Sequence, residues 1–338
     1  MVKTSLSVLL ARVGLDWFIL ALLGMIGLAR LFPGPGIQDG PFSLSTLTNV
    51  GVSLIFFFYG LRLNFEQLKA GLRNYRLHLV IHITTFIVFP AVVLLARSFL
   101  MTPDTELLWL GIFYVAALPS TVSSSVVMVS IAGGNIPAAI FNASISSLIG
   151  VFITPLWMSF LLTSTNGQYD LGSVIGKLTL QVIAPVVLGI LLNRRLGWFS
   201  ERYKSYLRYF DQFTILLIVY TAFCESFSLN LFARYSVADL VGLAAMMLAL
   251  FFLIFGFVHL LSRLFNFNRE DRITALFCGS KKSLVQGSVM ANVLFPGTIA
   301  GVVLLPIMIY HALQLIVASI IAQSMAHRVQ EKKSAIQT

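Results

Sequence analysis

The sequence predicts an all-α polytopic membrane protein whose ten transmembrane helices form two inverted five-helix repeats. The composition is 58% hydrophobic and only 11% charged, and the mean hydropathy is +0.90. Apolar runs close to the ~20 residues that cross a bilayer as a helix recur along nearly the whole chain. The fourth and the ninth of these runs are each interrupted by a polar segment. Such patterning leaves no room for a soluble domain of any size.

Ten apolar runs are the predicted spans. They cover residues 16–32, 44–62, 76–99, 106–132, 136–163, 171–193, 209–230, 236–262, 272–294 and 298–324. The polar segment 164–170 divides them into five plus five, and an odd number of spans per half inverts the second half relative to the first. We therefore expect a first repeat over residues 1–163, a second over 171–324 and a cytoplasmic tail over 325–338.

The basic residues predict the orientation in the membrane. The formal net charge is +10. If the N-terminus is cytoplasmic, most of the 23 Lys and Arg residues fall on the cytoplasmic side, and only Arg30, Arg97 and Arg234 fall on the other. Such a bias is typical of membrane proteins. It predicts that both termini are cytoplasmic and that the surface meets lipid and not nucleic acid, while the oligomeric state stays open.

The fourth span contains PSTVSSS, in which a proline precedes a run of hydroxyl side chains. Pro119 removes a backbone donor and displaces the carbonyl one turn earlier. The freed backbone groups and the hydroxyls could then coordinate an ion or bind a substrate. The alternative is a local kink whose serines bond back to their own helix. A second break at the corresponding place in the other half favours a binding site at the bilayer midplane.

Two adjacent lysines lie in that second break, CGSKKSLVQGS. A charge at bilayer depth is costly and usually faces a cavity, a partner or a transport path. Lys281 and Lys282 would point about 100° apart on a regular helix, so they can line one spot only if the helix unwinds. Either could bind an anion, replace a metal cation or carry a proton. The alternative is that both snorkel to an interface.

The polar residues of the two breaks and two positions in neighbouring spans make up the predicted substrate- and ion-binding set. It comprises Thr85, Thr121, Ser123, Ser124, Ser125, Asn142, Cys278, Ser280, Lys281, Lys282, Ser283 and Gln286. Asn142 belongs to a polar stripe on the fifth span, where helix packing is the alternative role. No catalytic residue and no complete set of metal ligands is predicted.

The segments FCGSKKSL and MANVLFP carry a resemblance to the bile acid:sodium symporter superfamily over nearly the full chain. The sequence is similar to the bacterial YfeH-type branch of symporters and to an orphan vertebrate member. The resemblance implies a core of spans three, four, five, eight, nine and ten, which moves against a panel of the remaining spans to give alternating access. It also implies a bacterial inner-membrane location and a small organic anion as the solute.

The resemblance further implies sodium ligands, most of which this chain lacks. In the ninth-span motif Glu-x-Gly-x-Gln-Asn, Cys278 falls at the glutamate, Lys282 at the glutamine and Ser283 at the asparagine. In the fourth-span motif Pro-Gly-Gly-Thr-x-Ser-Asn, Ser124 matches and Ser125 replaces the asparagine. The remaining ligand positions fall on Thr85, Ala139 and Ala143.

A lysine in place of sodium follows from electrostatics. Sodium, like other hard cations, needs oxygen ligands. Like charges about 4 Å apart repel by about 4 kcal/mol at an effective dielectric of 20. We expect Lys281 or Lys282 to supply the positive charge, so that transport is either sodium-independent or coupled to protons. Sodium or a proton is thus the candidate coupling ion, and no other cofactor is expected.

Two other functions fit the same residues. A regulatory membrane protein could use a transporter scaffold, and an unchanged phenotype after neutralising both lysines would favour it. An intramembrane Ser-Lys hydrolase would pair Lys281 or Lys282 with Ser124 or Ser125. No recognisable nucleophile motif surrounds these serines, so a secondary transporter that is not an enzyme is the leading prediction.

Overall fold

The computed structural model describes residues 17–38, 40, 43–62, 74–164, 176, 179–295 and 297–337. Its α-helices are α1 (Trp17–Leu31), α2 (Gly34–Ile37), α3 (Leu44–Leu61), α4 (Tyr75–Ile83), α5 (Phe89–Leu100), α6 (Glu106–Ala117), α7 (Ser123–Ala132), α8 (Ile136–Ser164), α9 (Ala184–Arg202), α10 (Lys204–Ser228), α11 (Val237–Leu264), α12 (Arg269–Gly279), α13 (Leu284–Leu294) and α14 (Gly297–Gln337). Two π-helical turns, Thr84–Val88 and Thr179–Ile183, and two 3-10 turns, Pro103–Thr105 and Leu231–Arg234, complete the elements. No strand occurs among the described residues.

Within the described residues, seven stretches of helix are long and apolar enough to cross a bilayer. They are α3, α4 with α5, α8, α9 with the π-turn before it, α10, α11 and α14. The helix α1 is apolar but has only 15 residues in the described range. The pairs α6 and α7, and α12 and α13, lie where the fourth and ninth spans are predicted, and each pair is one run in which the helix stops and restarts. The prediction of an all-helical chain with many apolar helices is confirmed.

Some helix ends differ from the predicted spans. The basic segment expected to connect the sixth and seventh spans is helical, since α9 reaches Arg202 and α10 begins at Lys204. The last helix continues past the predicted span end at 324, as far as Gln337. Lys, Arg, Glu and Gln are good helix formers, so a helix extends beyond its apolar part into a charged sequence. The predicted boundary between repeats lies almost wholly outside the described residues.

The helices pack in two groups that meet mainly where α10 packs against α14 and α13. The first group contains α1, α3, α9 and α10, and in the second α14 packs against α6, α7, α11 and α13. The helices α10 and α14 join the groups. Between α3 and α9 the backbones approach closely, because Gly60 faces Val186 and Gly189 faces Phe57 without side chains between them. Small residues at helix interfaces of membrane proteins allow this close approach.

We expect Gly189→Ala to destabilise the protein. A Cβ atom at this position would overlap the carbonyl oxygen of Phe57, so α3 and α9 must separate, and overpacking of this kind costs about 1–3 kcal/mol. The matched control is Gly256→Ala, because a Cβ there meets nothing within 4 Å and the change favours helix. Thermal unfolding of the purified variants in detergent measures both. Equal melting temperatures would contradict the close α3–α9 contact.

A polar cluster around Asp271 ties together the starts of three helices, and one of them, α12, leads to the second break. The side-chain amides of Asn74, Asn135 and Asn268 all donate to its carboxylate, at 2.8, 2.8 and 3.2 Å. These asparagines precede α4, α8 and α12. Arg269, at the start of α12, donates to the carbonyl oxygens of Ala132 and Gly133 at the C-terminal end of α7. The cluster therefore sets the relative positions of the helices that carry the polar breaks.

Candidate functional site

The first break separates α6 from α7 over residues 118–122. An α-helix leaves its last four carbonyl groups without backbone donors, and Pro119 cannot donate in their place. The next backbone N–H, that of Ser120, does not bond these carbonyl groups either, because it donates to Ser146 Oγ at 2.9 Å. The carbonyl oxygens of the break thus need partners from elsewhere in the protein.

Other spans supply these partners. Thr154 on α8 donates to Ala117 O at 2.8 Å, and the backbone N–H of Ser283 donates to Pro119 O at 2.9 Å. The second bond joins the two breaks directly. Ser125 Oγ adds another link, donating to Phe277 O near the end of α12 at 3.1 Å. The serines therefore do more than bond back to their own helix, and the local-kink alternative does not describe this stretch.

The second break lies between Gly279 and Leu284, and its lysines are fully buried. One side chain on α14 holds the unwound backbone. Gln314 Oε1 accepts from Lys282 N at 2.8 Å, and Gln314 Nε2 donates to Lys282 O at 2.7 Å. Tyr310, one turn earlier, donates to Ser280 O at 2.6 Å. This backbone is non-helical at bilayer depth, which is tolerated only where protein or water satisfies its polar groups.

Lys282 reaches three backbone carbonyl oxygens. Its Nζ atom donates to Thr85 O, Ala116 O and Leu118 O at 2.8, 2.6 and 2.7 Å. It also lies 4.1 Å from the centroid of the Phe89 ring. Three carbonyl acceptors match the three N–H donors of an ammonium group, whereas a neutral amine has only two. The geometry therefore provides an acceptor for every N–H donor of a protonated Lys282.

The carbonyl of Thr85 is free to accept this bond because of a proline. In the π-turn Thr84–Val88, the N–H of Phe89 donates to Thr84 O and not to Thr85 O. The following residue is Pro90, which has no N–H. Thr85 O therefore lacks a backbone donor, and Lys282 takes that role. Thr85 thus contributes its carbonyl group to this contact, while its hydroxyl donates to Ile81 O at 2.8 Å.

Lys281 has a different environment. Its Nζ donates to Ser124 Oγ at 2.9 Å, and this is its one hydrogen bond to the described residues. Ser124 in turn donates to Thr121 Oγ1 at 2.9 Å, and Thr121 bonds Ser125 Oγ at 2.7 Å. The unwound backbone lets the two lysines reach different elements. Snorkelling is the wrong description for both, because both ammonium groups end inside the protein.

No carboxylate compensates these two charges within the described residues. The ion pair found there joins Arg62 and Asp211 at 3.0 Å, at the end of α3 and the start of α10. Lys282 is stabilised by carbonyl dipoles and the aromatic face. Lys281 has one neutral hydroxyl partner for three N–H donors. A buried ammonium group in this state favours the approach of an anion.

The other predicted residues have different surroundings. The backbone N–H of Gln286 donates to Ser283 Oγ, which caps α13, and Gln286 Nε2 donates to Ser147 O at 3.1 Å. Ser280 Oγ donates to Leu276 O on its own helix. Cys278 is buried close to Lys281. Asn142 bonds His78 and Ala138 O, which is a packing contact between α4 and α8 and not a contact with the breaks. The Ser123 side chain lies outside the described part of the structure.

A small cavity lies beside Ser147, which contacts α13 after the second break. It has a volume of about 40 Å³ and lies between α3, α8 and α9, lined in part by Tyr59, Ser144 and Ser147. Ser147 is also the residue whose carbonyl oxygen binds Gln286, and Gln286 Oε1 is buried without a partner. Pockets for organic ligands usually enclose about 300–1,000 Å³. The cavity has room for a few waters, so a solute requires the surrounding helices to separate.

Several residues of this site were missed in the sequence. The largest omission is Gln314. The others are Tyr310, Ser146, Thr154 and Tyr114, whose hydroxyl donates to Gly287 O on α13 at 2.6 Å. Each is a polar side chain within an apolar run, so the signal was present, but many such residues only bond their own helix. Their importance depends on which carbonyl groups the breaks leave open, and that depends on tertiary packing.

The family model described as the SBF-like CPA transporter family (DUF4137) matches residues 16–327. Three curated relatives align along almost their whole length. An uncharacterised protein of Pseudomonas aeruginosa is 40% identical over 95% of this chain and 96% of its own. The Escherichia coli K12 protein named "Putative symporter YfeH" is 36% identical over 94% and 95%. Sodium/bile acid cotransporter 7 of Rattus norvegicus is 31% identical over 93% of each chain.

These matches confirm the resemblance predicted from the sequence. They also confirm that the chain is a membrane-integral protein of a transporter group and not an enzyme. The contact between Lys281 and Ser124 has the residue types of a Ser-Lys hydrolase. However, Lys281 is fully buried, and the contact occurs in a protein that matches a transporter family. The hydrolase alternative is therefore set aside.

Proposed function

The chain belongs to the SBF-like CPA transporter family, and from this premise we propose that it is a secondary transporter of small organic anions. One observation carries the choice of an anion. Two fully buried lysine side chains lie where two broken helices meet, and no carboxylate among the described residues pairs with either of them. Removing a charge from water is costly unless the charge is paired. A bound anion would supply the missing partner for Lys281.

The proposal places the carboxylate or other anionic group of the solute against Lys281 and Ser124. In the described part of the chain Lys281 Nζ has one acceptor, at 2.9 Å, which leaves two N–H donors of the ammonium group for a ligand. Lys282 is unsuitable, since three carbonyl oxygens already take its donors. The names of two relatives support a symported solute, and one of those names refers to bile acids and sodium.

We propose that transport does not depend on sodium. At the positions where the wider family has sodium ligands, this chain places Ala139, Ala143 and Cys278, which offer no side-chain oxygen. Lys282 brings an ammonium group into the same region, and a cation would be repelled there. If the carrier is coupled to an ion, the proton is the remaining option. Lys281 is the residue that would gain and lose this proton, because carbonyl oxygens do not hold its amino group as they hold that of Lys282.

Alternating access is proposed on the ten-span inverted repeat, with both termini on the cytoplasmic side of a bacterial inner membrane. Support comes from the three interrupted or short helical runs, which add to the seven long ones, and from the uneven distribution of basic residues. The cavity between α3, α8 and α9 is too small for an organic solute, which supports a state that is closed to the solute. Movement of α3 and α9 away from α8 would enlarge it next to Gln286.

The test is a ligand-stabilisation screen on the purified protein in detergent. We expect one or more small organic anions to raise the melting temperature, and the rise to be equal in sodium chloride and choline chloride. Uptake of the same anion by proteoliposomes, with and without a pH gradient, then distinguishes proton coupling from uncoupled transport.

Two outcomes would overturn the proposal. The first is a steep sodium dependence of binding, since the sodium-free site would then be wrong. The second is stabilisation by neutral or cationic solutes alone, since buried ammonium groups would then have no role in selecting the solute.

A further inference from the structure

We propose that Lys282 occupies a site for a small monovalent cation, and that this site binds a free cation when the lysine is shortened. The ligands are the backbone carbonyl oxygens of Thr85, Ala116 and Leu118, with the ring of Phe89 against the fourth side. Nothing in this arrangement requires that the cation be attached to the chain. The side chain of Lys282 holds its ammonium group at the three carbonyl oxygens and so keeps the site occupied.

The carbonyl groups converge for reasons that do not involve Lys282. Ala116 O and Leu118 O are open because α6 ends there and Ser120 N donates to Ser146 Oγ. Thr85 O is open because a π-turn precedes Pro90. The backbone would therefore present three oxygen atoms to one point even without the ammonium group, and unpaired carbonyls in a membrane interior are costly.

The electrostatic field at this point also favours a cation. The C-terminal end of a helix carries a partial negative charge, and α6 ends at the site. The face of an aromatic ring attracts cations in the same way, and Phe89 lies 4.1 Å from Nζ. Hard cations prefer oxygen ligands of this kind. An ammonium ion fits best, because it reproduces the N–H···O bonds that Lys282 makes.

The anchoring of the lysine backbone supports the same conclusion. Gln314 bonds both the N–H and the C=O of Lys282, so residue 282 keeps its backbone position independently of its side chain. Replacing the lysine by alanine would remove the four outer side-chain atoms and leave space that leads to the three oxygen atoms. In the native protein the space is filled, and this deepens the proposed function by giving a structural reason for sodium-independent transport.

The test compares Lys282→Ala with Lys282→Met and with the native protein, by thermal unfolding in chloride salts at constant ionic strength. Met fills the space without a charge. We expect Lys282→Ala to melt lower than the native protein in choline chloride, and ammonium or sodium to raise its melting temperature by about 2 °C or more. The native protein and Lys282→Met should respond equally to choline, ammonium and sodium.

Three results would overturn this inference. One is an equal response of Lys282→Ala to all three cations, because the open site would then bind none of them. Another is the same cation-specific response in Lys282→Met. The third is a sodium-specific stabilisation of the native protein, which can be measured even if Lys282→Ala fails to fold. None of these measurements uses transport, so a failure of the proposed anion transport is detected separately.

Discussion

Replacing Gln314 by leucine is expected to cause a large loss of stability. This buried side chain makes both hydrogen bonds to the backbone of Lys282, at 2.8 and 2.7 Å, and its Nε2 also lies 2.9 Å from His311 Nδ1. Leucine has a similar size but no polar atoms. The N–H and C=O of an unwound, buried residue would lose their partners, and each such group costs about 1–3 kcal/mol. We expect a loss of about 2–4 kcal/mol in the free energy of unfolding.

A matched substitution on the same helix separates this effect from a general effect of leucine. Gln323 is exposed on α14 and donates to Ser319 Oγ at 3.1 Å. Gln323→Leu should change the melting temperature little, since its polar atoms are not sealed from water or lipid headgroups. Thermal unfolding of both variants in detergent provides the comparison. If the two variants melt alike, Gln314 does not hold the break together.

Replacing Lys281 by methionine is expected to weaken anion binding while leaving the fold intact. Among the described residues, the Lys281 side chain hydrogen-bonds only Ser124, so the fold loses little when the ammonium group is removed. Methionine has an unbranched side chain of nearly the same length as lysine, and it is apolar, which suits a fully buried position. Hydrogen bonds to a charged group contribute about 1.5–3 kcal/mol, so the affinity for an anion should fall by about 10-fold or more.

The measurement is the melting temperature of native and Lys281→Met protein against the concentration of a stabilising anion. The conservative control is Lys281→Arg, which retains the positive charge and should retain part of the response. Lys282→Met should behave in the opposite way, with a lower melting temperature in the absence of ligand, because three carbonyl oxygens lose their donor. An anion response that is unchanged in Lys281→Met would mean that the anion binds elsewhere.

The helices and their breaks could largely be predicted from the sequence. Apolar runs of sufficient length locate helices in a membrane protein, because every backbone polar group must be satisfied within the element. Pro119 and the polar run around Lys281 located the two interruptions for the same reason. Helix ends were less certain, as at Arg202 and Gln337, because charged residues with good helix propensity continue a helix after the apolar run has ended.

The roles within the site could not be predicted from local sequence. Asn142 was assigned to the site but pairs with His78, whereas Gln314 was not assigned to it and holds the second break. Both are single amides in apolar helices. Their difference depends on which helix lies opposite, and sequence periodicity alone does not give that information.

The sequence by itself determined that this protein is helical, membrane-integral and interrupted at two polar places, and that two lysines lie in one of them. Only the tertiary structure distinguished those lysines. The ammonium group of Lys282 is held by carbonyl oxygens that a helix end and a π-turn leave open, while that of Lys281 has one hydroxyl partner. The physical reason is that the satisfaction of a buried charge depends on acceptors far away in the chain.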